Sequence, residues 1–96
     1  MATLHIEHPI SDLNMWLTAF GKFAEARRNG GVRAHRIYQP IDDDKYILIH
    51  LDFDTVDEAE RFKRFLEMNV WSTREASPGL AGIPRARVLA QVGPEL

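Results

Sequence analysis

The order in which hydrophobic periodicities follow one another constrains this chain more than any single residue does. Residues 3 to 9, TLHIEHP, alternate with Leu4, Ile6 and His8 on one side and Thr3, His5 and Glu7 on the other, the period of a strand. The next stretch, SDLNMWLTAFGKFAEARRNGG, sets Leu13, Trp16, Leu17, Phe20, Phe23 and Ala24 at helical spacing behind a Ser11 or Asp12 cap. Gly30 and Gly31 provide a stop, so one helix is expected there. Two strands are expected within VRAHRIYQPIDDDKYILIHLDFD, joined by a loop around Pro40 to Lys45 that is too long for a two-residue turn. A second helix begins with Thr55 and Glu58 in capping-box spacing and carries Val56, Ala59, Phe62, Phe65 and Leu66 on one stripe. Residues 72 to 84, with Pro78, Gly79, Gly82 and Pro84, read as a loop with one short helical turn, and RARVLAQV closes the series as a strand.

The resulting order is β-α-β-β-α-β, the split βαβ arrangement of a ferredoxin-like α+β sandwich. Right-handed crossovers put both helices on one face of a four-stranded antiparallel sheet, in a single domain over residues 1–96. The other face is left uncovered. On the third strand Ile47, Ile49, Leu51 and Phe53 can meet the helices, while Tyr46, Leu48 and His50 point away. Strand 2 turns either Ala34, Arg36 and Tyr38 or His35 and Ile37 to that face, and strand 4 adds Leu89 opposite Val88, Ala90 and Val92. An uncovered face with apolar side chains marks an interface, and a second copy of the chain is the expected cover.

Composition excludes several function classes. With no cysteine in 96 residues, disulfides, thiolate metal sites and cysteine nucleophiles are ruled out. A formal charge of -2 offers no basic face for a polyanion, so nucleic acid is not an expected partner. The start MATLHIEHPI has no basic region before a long apolar run, and no stretch approaches the ~20 apolar residues of a bilayer span. No membrane contact and a cytoplasmic location are therefore expected. Phosphate-binding glycine loops, a nucleophile elbow and the aromatic-basic strand of RNA-binding sheets are missing from the sequence.

The residues His8, Trp16, Phe20, Arg27, Arg28, Gly31, His35, Arg36 and Tyr38 together resemble a pattern of the dimeric α/β barrel superfamily. It is similar to that of small bacterial proteins of the cyclase-like and antibiotic-biosynthesis-monooxygenase-like kind. The similarity runs through the acidic loop and LDF into the second helix, about two thirds of the chain, and thins beyond Phe65. It implies the sandwich fold and a homodimer in which two sheets face one another. Superfamily members include cofactor-independent oxygenases of polyketide quinones, haem-degrading enzymes, polyketide cyclases and stress-response proteins. Asn69 and Trp71 match the residue types with which some of the oxygenases hold substrate. The haem-degrading branch needs a histidine near the end of the second helix, and this chain has none after His50.

Each candidate residue has a structural and a functional reading. His8, His35 and His50 are the candidate catalytic groups, because a neutral imidazole can act as a general base near neutral pH. Against this, strand histidines commonly serve packing, and His8 could simply cap a strand end. Convergence of His35 and His50 depends on strand register. No metal is expected, since the three histidines are not spaced as a chelate. Trp16, Tyr38 and Trp71 are the candidate substrate-binding groups; Trp16 also fits the core stripe and Trp71 also fits a plug at the end of the barrel. Arg27 and Arg28 read as charges opposing the helix dipole, with anion binding as the alternative. The acidic turn DDDK lacks the glycine and glutamate of a calcium loop and reads as solvated.

Two functions remain open at this level. One is a cofactor-free monooxygenase or cyclase acting on a planar aromatic or polyketide-like molecule, with no cofactor expected. The other is a non-catalytic stress-response or ligand-binding dimer whose histidines and tryptophans pack the barrel.

Overall fold

A computed structural model describes residues 1–92, so the last four residues of the expected 1–96 domain lie outside the described residues. Its elements are β1 (Ala2–Pro9), α1 (Leu13–Lys22), α2 (Ala24–Asn29), β2 (Ala34–Tyr38), β3 (Tyr46–Phe53), α3 (Val56–Phe65), a π-helical turn (Leu66–Val70) and β4 (Arg85–Ala90). The strands form one antiparallel sheet in the order β2-β3-β1-β4, the ferredoxin-like arrangement expected from the periodicities.

Alternation decides which face is covered. Along β1, Ala2, Leu4, Ile6 and His8 are buried, as are Ile47, Ile49, Leu51 and Phe53 along β3. These side chains form one core with Trp16 of α1 and with Ala59 and Phe62 of α3. Antiparallel partners share a face, so the pairings Ala34↔Asp52, Arg36↔His50 and Tyr38↔Leu48 put Ala34, Arg36 and Tyr38 on the open side. His35 and Ile37 face the helices, which resolves the open parity of β2. The pairings Thr3↔Leu89, His5↔Arg87 and Glu7↔Arg85 add Leu89, Arg87 and Arg85 to the open side.

Four sequence expectations need correction. The first helix is two segments, because Phe23 sits at φ -98 and ψ 16, in the bridge region where a helix is interrupted. Its N–H reaches the Phe20 carbonyl at 3.2 Å, a bond that tightens the last turn of α1, and Arg27 N–H bonds to the Phe23 carbonyl to start again. Leu17 and Val56, expected on the core stripes, are exposed: Leu17 lies a full residue step around the helix from Trp16, and Val56 opens α3 before it meets the sheet. The second helix widens after Phe65 into a π-helical turn, in which Trp71 N–H bonds to the Leu66 carbonyl five residues back. Finally, β4 ends at Ala90, before the expected Val92, and residues 72 to 84 form turns pinned by an Ile10↔Leu80 bridge, with no helical turn.

Local chemistry explains the ends. Asp12 is the cap of α1, accepting from the Asn14 N–H at 3.0 Å, and Thr55 caps α3 by accepting from Glu58 N–H at 3.2 Å. After α2, Gly31 takes φ 95, the left-handed conformation that lets the chain leave a helix sharply.

Candidate active site between the helices and the sheet

A cavity of about 80 Å³ lies between α1, α3 and the helix-facing side of the sheet. Ile6, Ile49 and Leu51 make its floor, and Trp16, Phe20 and Phe62 its aromatic walls. The π-helical turn closes one side: by bonding five residues back, Trp71 comes to lie a turn above Leu66, the position Val70 would take in an α-helix, and Leu66, Val70 and Trp71 all reach the cavity. Ser77, Pro78 and Leu80 of the following loop complete the rim. That loop is held close to α1, since a Cβ on Gly79 would meet Trp16 N at 3.1 Å and its φ is 88.

His8 reaches this cavity from the end of β1 and is only 2% exposed. Its Nδ1 lies 2.9 Å from the Pro9 carbonyl. A carbonyl only accepts, so Nδ1 carries the proton and Nε2 holds a lone pair. No buried side-chain N or O atom among the described residues lacks a partner, and Nε2 has none, so Nε2 keeps its exposure toward the cavity. Burial holds the His8 pKa below the ordinary 6.5, only partly offset by the Pro9 hydrogen bond. The imidazole is therefore neutral at pH 7, with its basic nitrogen available.

From His8 an aromatic series runs along the cavity wall. The His8 and Trp16 rings are 6.2 Å apart, Trp16 stacks on Phe20 at 5.1 Å, and the Arg27 guanidinium carbon lies 3.7 Å from the Phe20 ring centroid. Arg27 is 9% exposed and its Nη1 donates to the Phe20 carbonyl at 2.5 Å, an acceptor that the helix break leaves without an ordinary α-helical donor. Burial lowers its pKa from the ordinary value, yet a guanidinium remains charged at any working pH. The helix-end reading thus holds for exposed Arg28 and not for Arg27. The missed signal is positional: Arg27 stands seven residues after Phe20 and eleven after Trp16, in line with their stripe.

The six candidate residues divide between the two faces. His8, Trp16 and Trp71 line the cavity. His35 faces the helices with its ring 5.2 Å from Phe20, but it is exposed on the edge strand and outside the cavity lining. Tyr38 and His50 lie on the open face, their rings 5.6 Å apart. His35 and His50 therefore do not approach one another, because β2 pairs Arg36, and not His35, with His50. Asn69 is exposed and donates to the Phe65 carbonyl at 3.3 Å, so of the pair Asn69 and Trp71 only Trp71 reaches the cavity. A second groove of about 460 Å³ between α2 and α3 is lined by Glu58 and Arg61 and contains no histidine.

His50 belongs instead to a hydrogen-bonded chain across the open face. Tyr46 donates to Glu7 Oε1 at 2.7 Å, and Glu7 Oε2 accepts from His5 Nε2 at 2.7 Å. The other ring nitrogen of His5, Nδ1, shares a hydrogen bond with His50 Nε2 at 3.0 Å. The His5 and Tyr46 bonds hold the Glu7 carboxyl below its ordinary range, and Glu7 pushes the Tyr46 hydroxyl up. Burial, then the charges of His5 and Arg36, keep His50 low. Beside it, Arg36 grips Asp52 through both Nη atoms at 2.8 and 3.1 Å, and Thr3 donates to the same carboxylate at 2.9 Å. The open face is thus an ordered polar network among apolar groups, more polar than its alternation alone implied.

No family model and no curated protein matches the sequence. Similar folds occur among solved structures. A candidate antibiotic biosynthesis monooxygenase from Nitrosomonas europaea is 15% identical with a TM-score of 0.68, over 97% of this chain and 100% of that one. A monooxygenase of Streptomyces coelicolor, solved in complex with nanaomycin D, is 17% identical with a TM-score of 0.64, over 99% of this chain and 90% of that one. A dimeric ferredoxin-like protein from an uncultured marine organism is 9% identical with a TM-score of 0.61, over 100% of this chain and 99% of that one. No helix among the described residues is long and apolar enough to cross a membrane. The chain has the ferredoxin-like α+β fold shared by these antibiotic-biosynthesis-monooxygenase-like and dimeric ferredoxin-like structures.

Proposed function

We propose that the protein is a homodimer that binds a small planar organic molecule in the cavity between helices and sheet, and that it oxygenates or cyclises that molecule without a cofactor. The observation that carries this reading is the His8 Nε2 lone pair, held neutral by burial and exposed to an aromatic-walled cavity. Such a base removes a proton from an acidic phenol or from a CH₂ group beside a carbonyl. The enolate or phenolate so formed is electron-rich enough to react with dioxygen. Conversion of CH₂ to C=O by O₂ balances with one oxygen atom in the new carbonyl and the other in water. In a cyclase the same carbanion would attack a carbonyl of its own chain. The likeness to monooxygenase structures supports this chemistry at the level of fold.

Cavity size limits the substrate. About 80 Å³ lies below the roughly 300–1,000 Å³ of sites that enclose a drug-sized ligand and nearer the roughly 150 Å³ that takes up benzene. The cavity admits one ring at most, and any further ring would lie in the mouth beneath Trp71. The same small size favours a second reading, a non-catalytic ligand-binding or stress-response dimer, which predicts binding without turnover. Oxygen uptake measured with one-ring and two-ring hydroquinones and an anthrone, in metal-free and flavin-free buffer, separates the two. Turnover that falls by ~10²–10⁴-fold in His8→Gln supports catalysis; binding with no uptake above the buffer rate supports the second reading.

The dimer is proposed through the open face, where Tyr38 and Leu89 are 48% and 42% exposed beside half-buried Leu48 and Tyr46. A second sheet would enclose the Tyr46, Glu7, His5 and His50 chain, whose internal hydrogen bonds offset part of the cost of burying it.

A further inference from the structure

We infer that the molecule taken up by this cavity is an anion, a planar ring or enol bearing a carboxylate or phenolate oxygen, and that Arg27 is the residue that selects it. The inference rests on the proposal that the cavity binds a ligand, and it names that ligand's charge.

Three observations converge on it. Among the residues lining the cavity, Arg27 alone carries a charge at neutral pH; the rest are apolar or aromatic apart from Ser77 and the neutral His8. Buried cations are ordinarily paired with a carboxylate, but no ion pair among the described residues includes Arg27. Finally, its guanidinium is held by the Phe20 carbonyl, which Nη1 bonds, and by the face of the Phe20 ring 3.7 Å from its central carbon. A guanidinium has five N–H donors in a planar fork, so donors remain for a carboxylate or phenolate, which such a fork binds in charge-assisted fashion. The backbone bond and the ring stack hold the fork rigid before a ligand arrives, which limits the ordering cost of binding. His8 stands farther along the same aromatic wall, so a planar molecule lying on Phe20 and Trp16 with its anionic oxygen on Arg27 extends in the direction of His8.

The chain has two tryptophans, Trp16 and Trp71, and both line the cavity, so intrinsic fluorescence reads occupancy directly. The test is a titration of the full-length protein with benzoate and with its neutral isostere benzamide at pH 7.5, where ~all benzoate is ionised. Expected are a benzoate Kd at least ~10-fold below that of benzamide and loss of that difference in Arg27→Met through weaker benzoate binding, with benzamide unchanged. Arg27→Lys should restore part of the preference. Equal affinities in the unmodified protein, or a preference that survives Arg27→Met, would overturn the inference and leave the cavity as a binding site for neutral rings. Failure of both probes to alter the emission would remove the binding site and the inference together. Should Arg27→Met not fold, the comparison of the two probes on the unmodified protein still decides, because it needs no variant.

Discussion

At the scale of single residues, His8 divides its two nitrogens between structure and chemistry: Nδ1 is committed to the Pro9 carbonyl and Nε2 is left for the cavity. Its depressed pKa has a consequence for stability. His8 and His50 both titrate below their ordinary 6.5 in the folded chain, so between those depressed values and 6.5 the unfolded chain binds more protons. The stability this confers is complete above 6.5 and is lost as pH falls toward the folded-state values. Thermal melts should therefore show Tm dropping as pH falls from about 7 into the range below 6.5, with a shallower slope in His8→Gln. If the proposed catalysis holds, kcat/KM should rise with pH with its midpoint below 6.5, tracking the same group. A melt flat over this interval would show that His8 is not buried as a neutral group. Gly79 allows a different test at this scale. Its φ of 88 and the 3.1 Å approach to Trp16 N make Gly79→Ala strained by about 1–2 kcal/mol, a Tm lower by roughly 4–16 °C for a domain of this size. The sequence placed His8, Trp16 and Trp71 among the candidates but gave Arg27 anion binding only as its alternative, because an arginine in a last helical turn ordinarily answers the dipole and only its alignment with Phe20 argued otherwise.

The helices shape the site through their irregularities. A continuous first helix was the natural reading of its stripe, and no residue in SDLNMWLTAFGKFAEARRNGG is an obligate breaker, since Gly21 is tolerated inside a helix. The break at Phe23 is a tertiary outcome: it leaves the Phe20 carbonyl with the 3.2 Å bond from Phe23 N–H in place of an α-helical one, and Arg27 donates a second bond to it. The π-helical turn at Leu66–Val70 is likewise invisible to a pattern of apolar spacings, although it brings Trp71 to the cavity. Caps, in contrast, are chemical and local: Thr55 was readable directly, and the first cap was narrowed to Ser11 or Asp12. Asp12→Ala should cost about 1 kcal/mol by removing the bond to Asn14 N–H, seen as a Tm lowered by roughly 4–8 °C. Because α1 carries Trp16 and Phe20, the same variant should weaken benzamide binding by less than a change in the cavity wall does; a loss as large as that of Trp16→Ala would mean that α1 is not positioned by the core.

For the molecule as a whole, both helical layers lie on one side of the sheet, and the proposed dimer follows from what that leaves uncovered. Light scattering coupled to size exclusion should return double the 11.0 kDa chain mass. Leu48→Arg, which puts a charge amid the half-buried open face, should shift the particle toward single mass with a lower Tm; a native protein that stays single at high concentration would sink the dimer. By itself the sequence determined the order of elements, the ferredoxin-like sandwich, the burial of Leu4, Ile6, Ile47, Ile49, Leu51 and Phe53, and the Thr55 cap, because period, capping and turn chemistry act between residues close together in the chain. Only the tertiary structure decided that β2 pairs Arg36 with His50, which sends His35 and His50 to opposite faces, that His5, Glu7 and Tyr46 bind His50 into a network, and that Arg27 turns inward onto Phe20. Each of these depends on strand register or on a helix break, and a shift of one residue in register reverses the face of every side chain on a strand without altering its local pattern.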